Sequence, residues 1–546
     1  MNPSAALLEI LRDEGVTRVF GNPGTTELPL LEALASAPGL EYVLGLHEGP
    51  AVAMADGYAR ATGRPAFVSL HAAAGVANGL IGLLNAARSR TPLVAVAGQQ
   101  DRRHLIQDPM LSGDLTALAS PAVKYAIEVH QAYDLPVLLR RAFALAVRPP
   151  AGPVLLSLPM DVLEGDEDVP VPARTPAAVP GSAPADEIER AAALLERAHR
   201  PVIIAGDGVG RAGAMDDLVA IAERLGAAVY HQPMFDALSF PCGHALYAGA
   251  LPPRNTLVRE ALQAYDTLLL TGCRAFTPHH YTPGSPIPDG LTVVQADADP
   301  AEIGRNFPAH AGLAGDLRGT LRALAERLPD EVPAAKERLR AVTAESADRR
   351  TELDRRARAA YGPAPLAPLA AAHAIAAALP PGAVLIEEAI TVGVLLRGTQ
   401  RLDRPGSYVH TVGGGLGWGI GAAIGTRLAV PSRPVIAVLG DGSATFGLQG
   451  LWTAARYGLP VLFLVMNNGE YRTLKDTLDE RGHISPPYAG LDLCPPALDW
   501  LAAARLFGVE GRRVGSAAGL AELVAAAPRL PGPLLAEVPI TAHPGR

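Results

Sequence analysis

The sequence predicts an α/β protein of several domains, and two observations support this fold class. Short apolar runs rich in β-branched residues alternate with segments whose apolar residues recur at helical spacing, a pattern typical of α/β layers. A chain of 546 residues is long enough for several domains, and a hydrophobic content of 49% is enough for large cores. Two proline-rich stretches divide the chain. We therefore predict three domains, over residues 1–168, 187–330 and 365–546.

The first domain contains four apolar runs that we predict to be strands, with helical segments between them. These runs cover residues 18–20, 42–46, 65–70 and 93–97. The stretch "EDVPVPARTPAAVPGSAPADE" then predicts an extended linker, because it is rich in proline. The middle domain begins at "RPVIIAGDGVGRAGA", and a charged helical stretch leads from it to the last domain.

Composition excludes several classes of protein. The formal net charge of −8 and the pI near 6.0 argue against a nucleic-acid partner. Cys242, Cys273 and Cys494 are too few and too scattered for a disulfide framework or a thiolate metal site. We find neither a signal peptide nor an apolar run long enough to span a bilayer, so we expect a cytoplasmic protein with no membrane partner.

The last domain contains a strand, a helical segment and a second strand that together predict a parallel βαβ unit. The strands cover residues 434–439 and 461–466, and Asp441 and Asn468 follow them. Both side chains should therefore lie at the carboxyl edge of the sheet, where open α/β sheets bind ligands. A carboxylate, an amide oxygen and a loop carbonyl suit Mg²⁺. A lone Gly-Asp-Gly turn would more often cap a helix, but the asparagine one crossover later favours a metal site.

Three stretches carry a resemblance to a known family. The Gly440-Asp441-Gly442 turn, with Asn468 following 27 residues after Asp441, resembles the metal and diphosphate motif of thiamine diphosphate enzymes. Together with "FGNPGTTELP" and "HEGPAVAMADGYARATGRPAFVSLHAAAGVANGL", it is most similar to the benzoylformate decarboxylase group of that family. The resemblance implies three doubly wound parallel-sheet domains. The first would bind the pyrimidine of the cofactor, the second is the central domain, and the third would bind the diphosphate. It also implies a homodimer or homotetramer with active sites at subunit interfaces.

The same resemblance implies two cofactors, thiamine diphosphate and Mg²⁺, and the residues that hold them. Glu48 matches the glutamate that activates the aminopyrimidine ring, the Gly414 carbonyl would hold the amino group, and Leu416 would support the bend between the rings. The other cofactor-binding positions are Thr391, Gly440, Asp441, Gly442, Ser443, Asn468 and Tyr471. The expected metal ligands are Asp441, Asn468 and Glu470.

The substrate side of the site is likewise implied by the resemblance. His71 and His279 match catalytic histidines, with His280 the alternative to His279, and Thr25 matches a substrate-binding serine. The residues that would line the substrate pocket are Pro23, Met110, Leu111, His410, Thr473 and Thr477. Thr477 and its neighbour Asp476 stand where benzoylformate decarboxylases carry aromatic residues, and His410 replaces another. We therefore expect a benzoylformate-like 2-oxo acid as the substrate, without assigning benzoylformate itself.

Three functions remain open at this stage. The first is the non-oxidative decarboxylation of a 2-oxo acid to an aldehyde and CO₂, and the second is carboligation to a 2-hydroxyketone. The third is a nucleotide-binding oxidoreductase, since Gly208, Gly210 and Gly213 form a GxGxxG pattern after a predicted strand. The next strand ends in His231 and Gln232 rather than in the acid that holds a ribose, so we interpret these glycines as a structural turn.

Overall fold

Three six-stranded sheets, all of whose strand pairs are parallel, form the frame of the chain. The computed structural model describes residues 1–176, 180–278, 281–330, 332, 334–482 and 488–542. Helices separate the strands and cover the sheets. The predicted α/β fold class is confirmed.

The first sheet has the strand order β2-β1-β3-β4-β6-β5. Its strands are β1 Arg18–Gly21, β2 Glu41–Leu44, β3 Ala66–Leu70, β4 Leu93–Gln99, β5 Tyr125–Glu128 and β6 Val154–Pro159. The associated helices are α1 Pro3–Asp13, α2 Leu28–Ala35, α3 Glu48–Thr62, α4 Ala72–Arg88, α5 Leu115–Ala119, α6 Leu135–Val147 and α7 Met160–Glu164.

The second sheet has the order β12-β11-β10-β7-β8-β9. Its strands are β7 Pro201–Ala205, β8 Ala228–His231, β9 Tyr247–Ala250, β10 Thr267–Thr271, β11 Thr292–Asp297 and β12 Ala311–Ala314. The associated helices are α8 Ala185–Glu196, α9 Asp207–Arg211, α10 Met215–Leu225, α11 Asn255–Leu262 and α12 Leu317–Arg327, and the long helix α13 Ala335–Ala359 follows them.

The third sheet repeats the topology of the first, with the order β14-β13-β15-β16-β18-β17. Its strands are β13 Val384–Glu388, β14 Tyr408–His410, β15 Val435–Gly440, β16 Val461–Asn467, β17 Glu510–Arg513 and β18 Leu534–Pro539. The associated helices are α14 Pro368–Ala378, α15 Ile390–Thr399, α16 Trp418–Ala429, α17 Asp441–Ala444, α18 Gly450–Arg456, α19 Arg472–Arg481, α20 Trp500–Leu506 and α21 Ala517–Ala526.

The central strands are apolar throughout because both faces of each sheet are covered. Val19 packs into the core that includes α1 and α6, whereas the next residue, Phe20, packs into a second core that includes α3 and α16. That second core also receives Val435 and Ala437 from the third sheet, so it joins the first sheet to the third. Burial on both faces explains why these strands read as continuous apolar runs instead of alternating ones.

Helices α3 and α16 cross at very close range between the first and third sheets. A methyl group at Gly425 would lie 1.8 Å from the Met54 carbonyl oxygen, and one at Gly57 would lie 2.2 Å from that of Ala422. No side chain fits at either position, because real contacts of this kind are longer than 3 Å. The small residues of both helices therefore set the separation of the two sheets.

Arg60, near the end of α3, connects all three sheets. Its guanidinium is ion-paired with Asp56 at 2.9 Å and with Asp236 of the central domain at 3.7 Å. It also donates to the carbonyl oxygen of His410 at 2.6 Å, and it lies 5.1 Å from the ring centroid of Trp418. Burial opposes its charge, but the two carboxylates raise its pKa above the ordinary value.

Glu388, at the end of β13, caps helix α16. Its carboxyl oxygens accept hydrogen bonds from the backbone amides of Trp418 at 3.0 Å and Gly419 at 2.8 Å. The side chain is buried, and burial raises its pKa from 4.5 to about 8, although these two amides oppose the shift. The folded protein therefore keeps this carboxyl protonated over much of the neutral range.

None of the helices within the described ranges is long and apolar enough to cross a membrane.

Replacing Arg60 with methionine should destabilise the fold strongly. The change leaves the buried Asp56 without a cation and leaves Asp236 with Arg211 as its remaining cation, and loss of one partner of a buried ion pair typically costs about 3 kcal/mol or more. Differential scanning calorimetry of R60M and of the exposed control R64M tests this expectation. Similar thermal unfolding midpoints for the two variants would contradict the role of Arg60 in connecting the three sheets.

Glu388 should make stability fall as the pH rises. In the unfolded chain this carboxyl ionises near 4.5, but in the fold it ionises near 8, so between these values the unfolded state binds fewer protons. The free energy of unfolding should then drop by up to about 1.4 kcal/mol per pH unit. E388Q cannot ionise, so its stability deficit against the wild type should be smaller at pH 8 than at pH 5 in thermal unfolding. A deficit that stays constant would refute the shift.

Candidate active site

Asp441 and Asn468 lie at the same edge of the third sheet, as predicted. Asp441 directly follows β15 and Asn468 directly follows β16, and these strands pair in parallel from Val435 with Val461 onward. The Asp441 carboxylate accepts a hydrogen bond from the amide of Gly469 at 2.8 Å, which ties the two turns together. The crossover thus brings the acid and the amide together.

The loop after β16 is closed by its own polar residues. The amide oxygen of Asn468 accepts from the backbone amide of Glu470 at 3.1 Å, and the backbone amide of Tyr471 donates to the Leu491 carbonyl at 2.9 Å. The Glu470 side chain is ion-paired with Lys475, so its backbone carbonyl would be the group available to a metal. A methyl group at Gly442 would lie 2.6 Å from the Tyr471 ring, so only glycine fits there.

The donor set of this edge suits a hard divalent cation. It comprises the Asp441 carboxylate, the Asn468 amide oxygen and the Glu470 carbonyl, all oxygen donors of the kind that Mg²⁺ prefers. Asp441 is buried, and burial raises its pKa, so a neighbouring cation would favour its charged form. Among the described residues no three His, Cys, Asp or Glu side chains cluster as a metal site. A cation bound here would have to take its remaining ligands from water or a phosphate.

Glu537 on β18 supports this loop and was not predicted from the sequence. It is buried, and it accepts from the side-chain amide of Asn467 at 2.8 Å and from Arg513 at 3.2 Å. The oxygen of the Asn467 amide in turn accepts from Gly469 at 3.1 Å. Glu537 thereby fixes which way the Asn467 amide faces. Its sequence context is an ordinary buried strand, which gives no signal of this contact.

A cavity of about 980 Å³ lies between the central and last domains. Six predicted residues line it: Thr391, His410, Gly414, Leu416, Thr473 and Thr477. Apolar side chains of α15, including Ile390 and Val394, form part of the wall, and α19 contributes the polar residues Asp476 and Glu480. The wall is therefore apolar on one side and polar on another.

His410 is held in the cavity wall by a buried polar network. Its Nε2 lies 3.1 Å from the guanidinium of Arg397, and its Nδ1 lies 2.8 Å from the Glu387 carbonyl oxygen. Arg397 also donates to the Glu387 carboxylate at 2.6 Å and to the Tyr408 hydroxyl at 2.8 Å. Burial lowers the pKa of His410, so the ring is neutral, with Nε2 accepting and Nδ1–H donating. The sequence indicated His410 but none of its partners.

Glu48 begins helix α3 and is buried. His47 caps the helix, because its Nδ1 accepts a hydrogen bond from the backbone amide of Gly49 at 3.0 Å. The Glu48 carboxylate accepts from the side-chain amide of Asn78 at 3.0 Å. Asn85, two turns further along α4, exchanges two hydrogen bonds with the backbone of Gly415. Helix α4 therefore connects the surroundings of Glu48 to the loop that carries Leu416.

His71 pairs with Glu27, a residue that the sequence analysis missed. Its Nδ1 lies 2.9 Å from the Glu27 carboxylate and 3.1 Å from the Thr26 hydroxyl. Glu27 is buried, and it also accepts from the amide of Gly24 at 2.8 Å. Thr25 begins the same short 3₁₀ helix and is exposed. Glu27 could have been found from its place two residues after Thr25 in "GTTELP".

Two of the three predicted pocket residues of the first domain lie on its surface. Met110 is 84% exposed and Leu111 is 39% exposed, and the carbonyl of Leu111 accepts from Ala73 at 3.3 Å. Pro23 is partly buried in the loop before Thr25. The Leu111 contact places this loop beside the start of α4, close to His71.

Within one chain the predicted site residues form two separate groups. The predicted residues that line the 980 Å³ cavity all belong to the last domain, and Glu48, Thr25 and His71 do not line it. His279 and His280 lie outside the described residues, although Thr277 and Pro278, which precede them, line the cavity.

The central-domain glycines serve chain packing. A methyl group at Gly210 would lie 2.3 Å from the Leu238 carbonyl oxygen, and one at Gly208 would lie 2.9 Å from Gly272. The Nε2 of His231 accepts hydrogen bonds from the backbone amides of Ser239 and Phe240, so its ring is bonded to the loop that follows β8. These contacts support the interpretation of a structural turn.

Comparisons with known proteins agree with the resemblance read from the motifs. Family profiles of thiamine pyrophosphate enzymes match the chain in three places. The N-terminal TPP binding domain matches residues 1–117, the central domain residues 188–324 and the C-terminal TPP binding domain residues 392–538.

Relatives are similar over nearly the whole chain. A benzoylformate decarboxylase of Pseudomonas aeruginosa is 37% identical, with 98% of each chain covered. A putative acetolactate synthase large subunit of Mycobacterium tuberculosis is 32% identical, with 98% of this chain and 99% of the relative covered. A solved thiamine diphosphate-dependent 4-hydroxybenzoylformate decarboxylase of Rhodococcus jostii is 32% identical, with a TM-score of 0.88 and 100% of both chains covered. The prediction of a thiamine diphosphate-dependent lyase is thereby supported, and the chain belongs to the family of thiamine pyrophosphate enzymes.

Proposed function

We propose that this enzyme uses thiamine diphosphate and Mg²⁺ to decarboxylate a 2-oxo acid without oxidation, giving an aldehyde and CO₂. The observation that carries the proposal is the buried carboxylate of Glu48, held by Asn78 at the start of α3 in a chain that matches this family along three domains. A buried acid at this position is what activation of the cofactor requires. Binding alone does not require it.

The residues of the third sheet fit the cofactor. Asp441, Asn468 and the Glu470 carbonyl would hold Mg²⁺, while Gly440, Gly442, Ser443 and Tyr471 would surround the diphosphate, with Thr391 nearby. The Gly414 carbonyl and Leu416 would contact the rings. When bound, the cofactor supplies a nucleophilic carbon that also accepts the electrons released by decarboxylation.

Four residues of the first domain would act on the cofactor and substrate. Glu48 would hold a proton against the aminopyrimidine nitrogen. Thr25 and His71 would orient the substrate carboxylate, and His71 would also exchange a proton with the reacting carbon, as would His279. Glu27 would act as a positioning residue, because its carboxylate holds Nδ1 of His71 and so directs Nε2 away from the loop.

We further propose that a second copy of the chain completes each site. In this chain Glu48, Thr25 and His71 do not line the cavity that holds Gly414 and Leu416. Exposed apolar side chains occur in both groups, among them Met110 in the first domain and Ile390 and Val394 in the last. A homodimer or homotetramer would bring the two groups together at a subunit interface and cover these side chains.

Carboligation is the second candidate, because acetolactate synthases are among the relatives. The paired His71 and Glu27 favour decarboxylation, since they can deliver the proton that ends the reaction at an aldehyde. Chromatography of the products distinguishes the two reactions: an aldehyde supports decarboxylation, and a 2-hydroxyketone as the main product supports carboligation.

Replacing Glu48 with glutamine should abolish turnover while preserving cofactor binding. Gln keeps the size and one oxygen but cannot hold the proton, and loss of an acid-base group costs about 100-fold or more in kcat. CO₂ release gives the activity, and quenching of tryptophan fluorescence by thiamine diphosphate with Mg²⁺ gives the affinity. E32Q, an exposed glutamate of α2, is the control. Equal losses of affinity and turnover in E48Q would contradict the role of Glu48.

Hybrids of two inactive variants should recover activity. E48Q retains an intact Asp441 and D441A retains an intact Glu48, so a symmetric pair of one each would contain one complete site. Hybrids purified through two different tags should show up to about half of the wild-type CO₂ release. Hybrids as inactive as either parent would show that each chain builds its own site.

A further inference from the structure

Part of the 980 Å³ cavity wall is formed by four arginines that the proposed reaction does not use. Arg88 and Arg90 lie at and just beyond the end of α4, and Arg274 and Arg305 belong to the central domain. They form one cluster. Arg274 donates to the Arg88 carbonyl at 3.1 Å, and Arg90 and Arg305 both donate to Glu302, at 3.0 Å in each case.

Positive charge exceeds negative charge in this cluster. Glu302 is shared by Arg90, Arg305 and, at 3.6 Å, Arg274. The other acids are Asp297 and Asp299, both ion-paired with Arg90 at 3.3 Å. Four guanidinium groups thus share three carboxylates, and burial raises the pKa of Asp297, although Arg90 opposes this shift.

Several of the arginine donors have no acceptor in the described part of the chain. The Nε atoms of Arg90 and Arg274 are buried and make no hydrogen bond there, since Arg274 lies too far from Glu302 for one. The exposed guanidinium of Arg88 has neither a hydrogen-bond nor an ion-pair partner in the same ranges. Buried donors without partners are uncommon in native proteins and call for an acceptor from elsewhere.

The same cavity reaches the cofactor side of the site. Leu416 and Gly414 line it together with Arg88, Arg90 and Arg274, so the arginines and the residues expected at the cofactor face one continuous space. A volume of about 980 Å³ is at the upper end of the range for pockets that hold drug-sized molecules. The rings of the cofactor, held at Gly414 and Leu416, would occupy part of this volume, and the remainder is open to a substrate.

We propose that the substrate is a 2-oxo acid whose far end carries a second anionic group, a carboxylate, which binds Arg88 and Arg274. This inference rests on the proposed function, because it assigns the substrate class of that site. The apolar side chains Ile390 and Val394 of the same cavity suit the body of such a molecule. A guanidinium fork suits a carboxylate because it can donate two parallel hydrogen bonds.

Binding of matched acids tests the proposal without requiring turnover. Isothermal titration of the oligomer, loaded with thiamine diphosphate and Mg²⁺, compares linear and aromatic 2-oxo acids that end in a carboxylate with their terminal amides. The carboxylate form of the best acid should bind at least about tenfold more tightly, since a hydrogen bond to a charged group contributes about 1.5–3 kcal/mol. Equal affinity of the two forms for every acid would overturn the proposal.

Variants assign the preference to the arginines. R88Q and R274Q should each weaken binding of the carboxylate form by about tenfold and leave the amide form unchanged, while the exposed control R340Q on α13 should change neither. Equal weakening of both forms would indicate a structural role and refute the assignment. Tighter binding of ADP than of any dicarboxylic acid would reassign the arginines to a nucleotide and overturn the proposal.

CO₂ release from the same acids separates the two conclusions. A carboxylate preference in binding without CO₂ from any acid would refute decarboxylation but retain the anion site. CO₂ release that is equally fast for the amide and carboxylate forms, with equal binding, would retain the proposed function and refute the anion site.

Discussion

One buried guanidinium, that of Arg60, holds the three domains in register. It lies against Asp56 and Trp418 between the first and third sheets, and it reaches Asp236 of the central domain. Its bond to the His410 carbonyl carries this constraint into the cavity wall. A buried cation with several partners is costly to rearrange, because the Asp56 carboxylate would be left desolvated without a counter-charge. The placement of the cavity thus depends on a residue outside it.

The position of Glu48 follows from the same packing. Helix α3 begins with Glu48 and ends close to Arg60, so the contacts of Arg60 also fix the direction of this helix. The direction of the helix in turn determines where the Glu48 carboxylate lies. Helix α4 adds a second constraint through Asn78 and Asn85. Glu48, the loop that carries Leu416 and the cavity wall belong to different domains. Contacts between domains are therefore needed to fix their geometry.

Local patterns predicted much of the fold and part of the site. The α/β class follows from the alternation of strands and helices, and the meeting of Asp441 with the turn after β16 follows from the parallel crossover. Contacts between distant residues could not be predicted this way. The pairs Glu537 with Asn467 and Arg60 with His410 leave no signal in the local spacing of the sequence. Such pairings depend on tertiary packing, which one sequence does not reveal.

The contact between α3 and α16 also restricts how a substrate can enter. Because backbone atoms meet at Gly57 and Gly425 with no room for a methyl group, the first and third sheets cannot rock against each other like the jaws of a hinge. Any opening motion within the chain must then come from other segments, such as the loops around the cavity. Substrate would then enter through movement of loops around the cavity, while the first and third sheets stay fixed relative to each other. Residues of those loops would set the rates of substrate entry and product release.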